Sequence, residues 1–334
     1  MDDERVEGTQ EIVLVARKGG FGLPTACPVC LPVYCYLRFA KVNFKVRLDR
    51  TNPDSDHIPY VEYGDYVAFN NEKGGVIELL NEENIIQLDS ELSKDCFSDW
   101  VSTKVMISTW LAEAVQYELW VACDSSIANY IYFSDLPWAI GKLLHWKQSR
   151  AVKQLHGITK LNVAEKEEEI YRKANLAYNA LSVKLGNEEF FFEERPTSVD
   201  ALFLAHAAFV IHALPETSVL RSSLAKYANL TKFVETFKGD VLEASCSSSQ
   251  TTAFPFEASS SSSVPRTKKS KQSPKPKPKK RERTEEEKSF RRRAKYFIAA
   301  QVVSVLIFLT VLGGMGDYGV DDDDNDNDGL AYDD

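Results

Sequence analysis

Residues 57–69 read HIPYVEYGDYVAF, and this stretch decides the fold of the N-terminal part of the chain. Residues 60–63 and 66–69 are short runs rich in aromatic and β-branched side chains, which favour extended strands. Between them stands Gly64-Asp65, a two-residue connection of the kind that closes a tight turn. The stretch therefore predicts two antiparallel strands joined as a hairpin.

The elements around this hairpin predict a small mixed α/β domain. Upstream, residues 11–15 are a predicted apolar strand, residues 28–41 a helix and residues 43–48 a strand of alternating polarity. Downstream, a helix over residues 75–83 closes the unit. The order strand, helix, strand, strand, strand, helix resembles the thioredoxin-like domain of glutathione transferases. In that family a cis proline precedes the third strand, and the resemblance implies this role for Pro59.

Beyond residue 90 the hydrophobic pattern becomes helical. Its periodicity predicts amphipathic helices over residues 95–121, 134–144, 162–185, 199–213, 216–224 and 230–237. Before the fourth of these, Thr197 or Ser198 can cap the helix, and Asp200 can bond back to the cap in a variant of the capping box. Glutathione transferases have the same order of domains, and in them such a cap opens a buried helix.

The predicted fold class is α/β plus all-α. A thioredoxin-like domain over residues 11–88 follows a disordered N terminus over residues 1–10, and a transferase-like helical domain covers residues 89–243. The chain of 334 residues is 44% hydrophobic, which is enough to bury a core of this size. Residues 244–289 are rich in Ser, Lys and Pro and too poor in apolar side chains to fold, so they are a predicted disordered linker.

Charge is distributed unevenly along the chain. The formal net charge is −9, yet residues 266–295 hold 15 Lys and Arg against 4 Glu. Residues 1–265 carry a net charge of −11, so the folded part is acidic and not the basic surface of a nucleic-acid binder. The run 268–280 resembles a nuclear localisation signal, but contact with anionic lipid head groups is the simpler interpretation.

A membrane anchor is predicted close to the C terminus. Residues 297–316, FIAAQVVSVLIFLTVLGGMG, contain no charge and are long enough to cross the hydrocarbon core as a helix, here placed over residues 296–316. The alternative is a buried core helix. Such a helix would not ordinarily stand between a low-complexity linker and the acidic tail over residues 317–334, which holds nine Asp.

The flanks of this segment predict its orientation. The basic residues just before it are Arg291, Arg292, Arg293 and Lys295, and basic residues stay on the cytosolic side. We therefore expect a tail-anchored, single-pass protein whose N-terminal part faces the cytosol. The anchor alone leaves mitochondria and the endoplasmic reticulum both open. The N terminus shows no cleaved targeting pattern, and six cysteines without one fit a reducing compartment.

Several segments together resemble the metaxin family, and its plant branch in particular. They are CPVCLPVYCYLRFAKVNFKV (27–46), IPYVEYGDY (58–66), GGVIELL (74–80), FSDLPWAIGKLL (133–144) and PTSVDALFLAHAAFV (196–210). The resemblance implies a subunit of the sorting and assembly machinery of the mitochondrial outer membrane, with its acidic tail in the intermembrane space. The implied partners are the β-barrel assembly pore, other outer-membrane import subunits, β-barrel precursors and the lipid bilayer. The family pattern does not account for the linker or the acidic tail.

The resemblance also implies that the chain is not an enzyme and has no cofactor. Transferases hold the γ-glutamyl group of glutathione through a Glu-Ser pair that opens the helix after the hairpin. Here Lys73-Gly74 stands at that position, although Glu72 lies one residue away. Thr25 lies near the position of the catalytic hydroxyl, but a loop threonine is more often a cap than a catalyst.

The main alternative rests on a CxxC motif. Cys27 and Cys30 stand at the predicted start of a helix after a first strand, where the helix dipole lowers thiol pKa values in thioredoxin-like reductants. The alternative function is thus a membrane-tethered thiol oxidoreductase or glutathione transferase, against a pair of half-buried structural cysteines. Cys35 and Cys123 are expected in the core. The histidines are dispersed, so no zinc quartet is readable.

Overall fold

The structure is a computed structural model that describes residues 11–49, 56–72 and 74–243 together with Gln301 and Ser304. Its N-terminal part contains a four-stranded sheet in the order β2-β1-β3-β4. The strands are β1 (Ile12–Ala16), β2 (Phe44–Leu48), β3 (Tyr60–Tyr63) and β4 (Tyr66–Phe69). β1 pairs with β2 in parallel and with β3 antiparallel, so the sheet is mixed as the thioredoxin-like plan requires.

The predicted hairpin is confirmed in its bounds and its register. β3 pairs antiparallel with β4, and Tyr63 stands opposite Tyr66 across the turn. Gly64 has a φ of 58°, in the left-handed region that glycine enters without a steric penalty. The turn therefore forms for a local reason that is visible in the sequence.

Two helices complete the thioredoxin-like part. α1 (Cys30–Phe39) begins two residues later than predicted, because the chain makes a separate turn over Cys27, Pro28 and Val29 before entering the helix. α2 (Gly75–Glu82) begins at the predicted residue and follows β4. The element order of this part is therefore the predicted one.

The helical part contains eight further α-helices with π-helical turns between or after some of them. The α-helices are α3 (Phe97–Met106), α4 (Ala112–Tyr117), α5 (Ser126–Ala128), α6 (Trp138–Leu155), α7 (Val163–Leu185), α8 (Ser198–His212), α9 (Val219–Leu224) and α10 (Ala228–Phe237). The π-helical turns are Ile107–Leu111, Glu118–Ala122, Asn129–Phe133 and Lys238–Glu243.

The bounds predicted for α6 are wrong at both ends. The helix begins after Pro137, whose extended backbone (ψ 137°) cannot belong to it, and it continues to Leu155 instead of ending at residue 144. The sequence beyond residue 144 is polar and basic, and the hydrophobic periodicity is lost because that side faces solvent. The helix predicted over residues 216–224 also starts late, at Val219, since the Ser218 hydroxyl caps it.

α8 lies at the centre of the helical part. Its backbone presents apolar side chains on all sides, and Phe203, Leu204 and Phe209 have no exposed surface. α1 of the thioredoxin-like part packs along α8, so the two parts share one hydrophobic core. This packing fixes the position of the first turn of α1 relative to the helices.

The remaining sequence predictions fall almost entirely outside the described residues. These are the N terminus over residues 1–10, the linker over residues 244–289, the basic residues Arg291, Arg292, Arg293 and Lys295, the span over residues 296–316 and the acidic tail over residues 317–334. Within the span, Gln301 and Ser304 are described, and both are helical. Among the described residues no helix has the length and apolar character that a membrane crossing needs. The anchor and its orientation stay predictions.

Candidate functional site

A cleft of about 500 Å³ lies where the start of α1 faces the helical part. The sheet side contributes residues from the segment after β1, the CxxC turn and the loops around the hairpin. The helical side contributes residues from α4, from two π-helical turns and from α6. Representative lining residues are Arg17, Cys27, Ile58, Trp120, Tyr132 and Val152.

The CxxC turn is held by backbone hydrogen bonds at the entrance to α1. The amide of Cys30 donates to the carbonyl oxygen of Cys27 over 3.1 Å, and that of Leu31 donates to the same oxygen over 3.0 Å. The amide of Cys27 is 3.4 Å from the Thr25 hydroxyl oxygen, which accepts its hydrogen bond. Thr25 is 1% exposed, so it acts as a buried turn residue and not as an accessible hydroxyl.

The two thiols of the motif are free and differ in their access to the cleft. Cys27 lines the cleft with 1% of its surface exposed, whereas Cys30 is fully buried beneath it. The hydroxyl of Tyr132 lies 3.4 Å from the Cys27 sulfur. The guanidinium of Arg17 stacks over the same tyrosine, 4.7 Å from the ring centroid.

The surroundings of the two thiols shift their pKa values in opposite directions. Burial by itself would raise the pKa of Cys27, but a hydrogen bond from Cys30, the charge of Arg17 and a hydrogen bond from Tyr132 outweigh it. The pKa of Cys27 falls to about 6. Burial raises the pKa of Cys30 well above its usual range, and its bond to Cys27 adds to that effect. A more acidic thiol beside a less acidic one matches the acidities of a nucleophile and its resolving partner, but both thiols here are almost completely buried.

Sequence reasoning did not identify Arg17 and Tyr132 as part of this site. Tyr132 is 105 positions from Cys27 and lies in a π-helical turn, so no local pattern connects the two. The position of Arg17 gave a weak indication, because a charged residue directly after an apolar strand needs a polar partner or solvent at the end of the sheet. The structure accommodates it at 7% exposure beside the cleft.

The part of the cleft next to the hairpin contains the peptide bond that precedes the proline predicted to be cis. The Ile58–Pro59 peptide bond is cis, and Ile58 lines the cleft. α2 opens on Gly74 and Gly75, with φ angles of 89° and 74°. Among the residues that the structure describes, no side chain caps this helix, and Glu72 is exposed. Lys73 lies outside the residues that the structure describes.

The predicted cap of α8 is a buried structural feature. Thr197 is the cap residue, and its amide and hydroxyl both donate to one carboxylate oxygen of Asp200, over 2.8 and 2.7 Å. The other oxygen accepts the amide of Phe191 over 2.9 Å. Ser198 is the first helical residue and not the cap, and its amide donates to Asp89. Burial raises the pKa of Asp200 to about 6, against the opposing effect of these hydrogen bonds.

Within residues 11–49, 56–72 and 74–243, the other cysteines and the histidines form no second site. Cys35 is fully buried in α1, as expected, whereas the expectation for Cys123 is wrong in part. Cys123 follows the π-helical turn Glu118–Ala122, is half-buried, and donates to Glu118 over 3.5 Å. No cluster of three or more metal-ligating side chains occurs in the part of the chain that the structure describes.

Comparison with known proteins gives consistent matches. Residues 28–127 match the family described as glutathione S-transferase N-terminal domain, and residues 174–237 match the glutathione S-transferase C-terminal domain. The chain is 48% identical to the "Mitochondrial outer membrane import complex protein METAXIN" of Arabidopsis thaliana, over 92% of this chain and 96% of that protein. It is 27% identical to Metaxin-3 of Danio rerio, over 68% of this chain and 74% of that protein.

Solved structures of glutathione transferases align with this chain at low sequence identity. A glutathione S-transferase of Ceriporiopsis subvermispora, crystallised with glutathione, aligns with a TM-score of 0.47 and 12% identity. That alignment covers 69% of this chain and 97% of the transferase.

Proposed function

Because the chain belongs to the metaxin family, we propose that it is a non-enzymatic subunit of the protein import machinery of the mitochondrial outer membrane. The observation that carries this proposal is its 48% identity, over nearly the whole of both chains, to a plant protein named for that import complex. The proposal places the chain on the mitochondrial outer membrane and not on the endoplasmic reticulum.

The geometry of the cleft supports the non-enzymatic part of the proposal. Transferases hold a γ-glutamyl group through a carboxylate and a hydroxyl at the opening of this helix, whereas the chain has Lys73-Gly74 in place of that pair, and no described side chain caps α2. We therefore expect the full chain to pass through a glutathione affinity column that retains an active transferase run as the control. Micromolar glutathione binding by calorimetry would contradict this part of the proposal.

The finer role that we propose is that of a receptor or scaffold for β-barrel precursors in the sorting and assembly machinery. Barrel precursors reach the membrane with unpaired strand edges, which cannot enter lipid until the strands have closed on one another. A folded module tethered by the linker over residues 244–289 and the span over residues 296–316 would hold binding surfaces beside the assembly pore. Its partners are then the pore, other import subunits and the precursors themselves.

Isolation from mitochondria during import tests this role. An N-terminally tagged full chain is purified in mild detergent while a radiolabelled barrel precursor is arrested at the outer membrane. We expect the barrel assembly pore and the precursor to co-purify with it. An unrelated tail-anchored outer-membrane protein with the same tag is the control. Recovery of the precursor no higher than with that control would refute the role.

A second candidate function is favoured by one specific observation, the lowered pKa of Cys27 beside a protonated Cys30. The Cys27 thiolate would attack a protein disulfide at the cleft and release one sulfur as a thiol after protonation. Cys30 would then lose its proton and attack the Cys27 sulfur, which releases the second thiol and leaves a Cys27–Cys30 disulfide. Two electrons pass to the substrate, and a separate small dithiol would have to regenerate the pair.

Double replacement of Cys27 and Cys30 by Ser separates the two candidates. The import role predicts that the variant still supports barrel assembly, because the pair then contributes packing and not chemistry. Loss of assembly with the fold and partner binding preserved would favour the oxidoreductase.

A further inference from the structure

α6 exposes large apolar side chains that the core does not use. Trp138 is 75% exposed and Trp146 is 56% exposed, and Ile140 and Leu143 are nearly half exposed. The buried residues of this 18-residue helix are Gly141 and Val152. Two tryptophans exposed on one helix form a concentrated apolar patch, and such patches mark interaction surfaces.

The same helix is basic although the folded part of the chain is acidic. Residues 136–164 contain no Asp or Glu and five basic residues, whereas residues 1–265 carry a net charge of −11. The basic residues are Lys142, Lys147, Arg150, Lys153 and Lys160. A partner of this surface is therefore expected to be negatively charged.

The aromatic and basic side chains alternate along a single ridge of the helix. Trp138, Lys142, Trp146 and Arg150 follow one another at intervals of four residues, which places them on the same side. The amino group of Lys142 lies 4.7 Å from the centroid of the Trp138 ring, and the guanidinium of Arg150 lies 5.9 Å from that of Trp146. Lys153 is exposed one turn further on. We call these five residues the α6 ridge.

We propose that the α6 ridge docks on the surface of a bilayer that contains anionic phospholipids. Tryptophan is the side chain that prefers the boundary between head groups and acyl chains, and lysine and arginine reach from there to lipid phosphates. A helix that combines both, without acidic residues, has the composition of an interfacial helix. Protein interfaces also favour tryptophan and arginine but are depleted in lysine, so the two lysines of the ridge are what favour a lipid surface over a protein partner.

Docking of the ridge would position the cleft relative to the bilayer, because α6 also forms one wall of the cleft. Gln148, Ala151, Val152 and Leu155 of α6 line the cleft on the flank of the ridge. A helix that lies along the bilayer therefore holds one wall of the cleft close to the lipid surface. The inference does not depend on the import role, because it uses only the exposure and charge of α6.

Contact quenching by lipid tests the proposal on the full chain. The protein is reconstituted in liposomes of brominated phosphatidylcholine with or without phosphatidylinositol, and its tryptophan fluorescence is recorded. The chain has five tryptophans, and of these Trp110 is also partly exposed but lies away from α6, in the π-helical turn Ile107–Leu111. We expect quenching that increases with phosphatidylinositol, is lost in W138F/W146F, and persists in W110F.

Charge reversal provides the matched control. K142E/R150E/K153E should abolish the quenching of Trp138 and Trp146. K94E/K226E/K232E reverses three other exposed lysines and changes the net charge by the same amount, so it should leave the quenching unchanged. Emission from the buried Trp100 and Trp120 reports that each variant is folded. Equal quenching in the two triple variants, or none in the wild type, would overturn the proposal.

A photo-crosslinker at residue 146 in isolated mitochondria distinguishes lipid from protein as the partner. The bilayer proposal predicts adducts with phospholipid. A specific adduct with a protein would overturn it and identify the ridge as a protein interface.

Discussion

At the residue scale, Cys27 lies among groups that stabilise its thiolate, although its burial alone would favour the neutral thiol. The contributing groups come from different parts of the chain: Arg17 follows β1, Cys30 begins α1, and Tyr132 belongs to the helical part. The acidity of this cysteine is therefore a property of the assembled fold and would be lost on unfolding.

The first prediction concerns the charge of Arg17. Since the guanidinium favours the thiolate, Arg17→Gln should raise the pKa of Cys27 above about 6. Thiolate absorbance near 240 nm measures the titration, with Cys27→Ser subtracted to isolate the one sulfur. Arg47→Gln, at an exposed arginine paired with Glu62, is the control and should not move the curve. An unchanged titration in Arg17→Gln would show that the charge does not act on Cys27.

The same pKa has a consequence for stability. A folded-state pKa below the ordinary thiol value means that Cys27 contributes stability above its unfolded pKa and loses it as the pH falls through about 6. Cys27→Ser should remove this component of the pH dependence. The free energy of urea unfolding, measured at several pH values between about 6 and the pKa of the unfolded thiol, shows this pH dependence.

At the element scale, the most reliable predictions came from signals confined to a few neighbouring residues. The hairpin across Gly64-Asp65 follows from turn chemistry, and the cap at Thr197 follows from the three-residue spacing to Asp200. The length of α6 could not be predicted in this way. Its second half buries only Val152, so hydrophobic periodicity does not reveal it.

The cleft was even less predictable from local sequence signals than the length of α6. The CxxC motif and Pro59 are readable from the sequence because each is tied to its own element. Arg17 and Tyr132 become relevant only when the helical part folds back over the start of α1. Contacts of such long sequence separation leave no periodic or spacing signal in one sequence.

A further prediction concerns the cap of α8. Asp200→Ala removes the acceptor for two buried amides and the Thr197 hydroxyl, so we expect a loss of about 3 kcal/mol in the free energy of unfolding. Glu165→Ala, at an exposed acid in the first turn of α7, is the control and should stay within about 0.5 kcal/mol of wild type. Denaturant unfolding in detergent followed by circular dichroism compares them. Equal stability of the two variants would contradict the structural role.

At the scale of the whole molecule, the sequence joins a folded acidic module to a basic segment and a predicted anchor. The prediction at this scale is that protease added to intact mitochondria removes the folded module and leaves a small protected C-terminal fragment. Complete protection of the module would contradict the cytosolic orientation.

A charge in the predicted span tests the anchor itself. Leu306→Arg should cost roughly 2.5 to 3.5 kcal/mol of insertion free energy, so much of the protein should become extractable by carbonate. Extraction no greater than that of wild type would contradict the span over residues 296–316.

The proposed role is that this chain promotes β-barrel assembly through its position at the outer membrane and not through catalysis. The most direct measurement is the native-gel assembly rate of an imported barrel precursor in mitochondria that lack the protein and any close relative of it. The account predicts slow barrel assembly with normal matrix import. The full chain and Cys27→Ser/Cys30→Ser should restore assembly, while residues 1–240 without the anchor should restore it poorly. Normal barrel assembly in the depleted mitochondria would contradict the account.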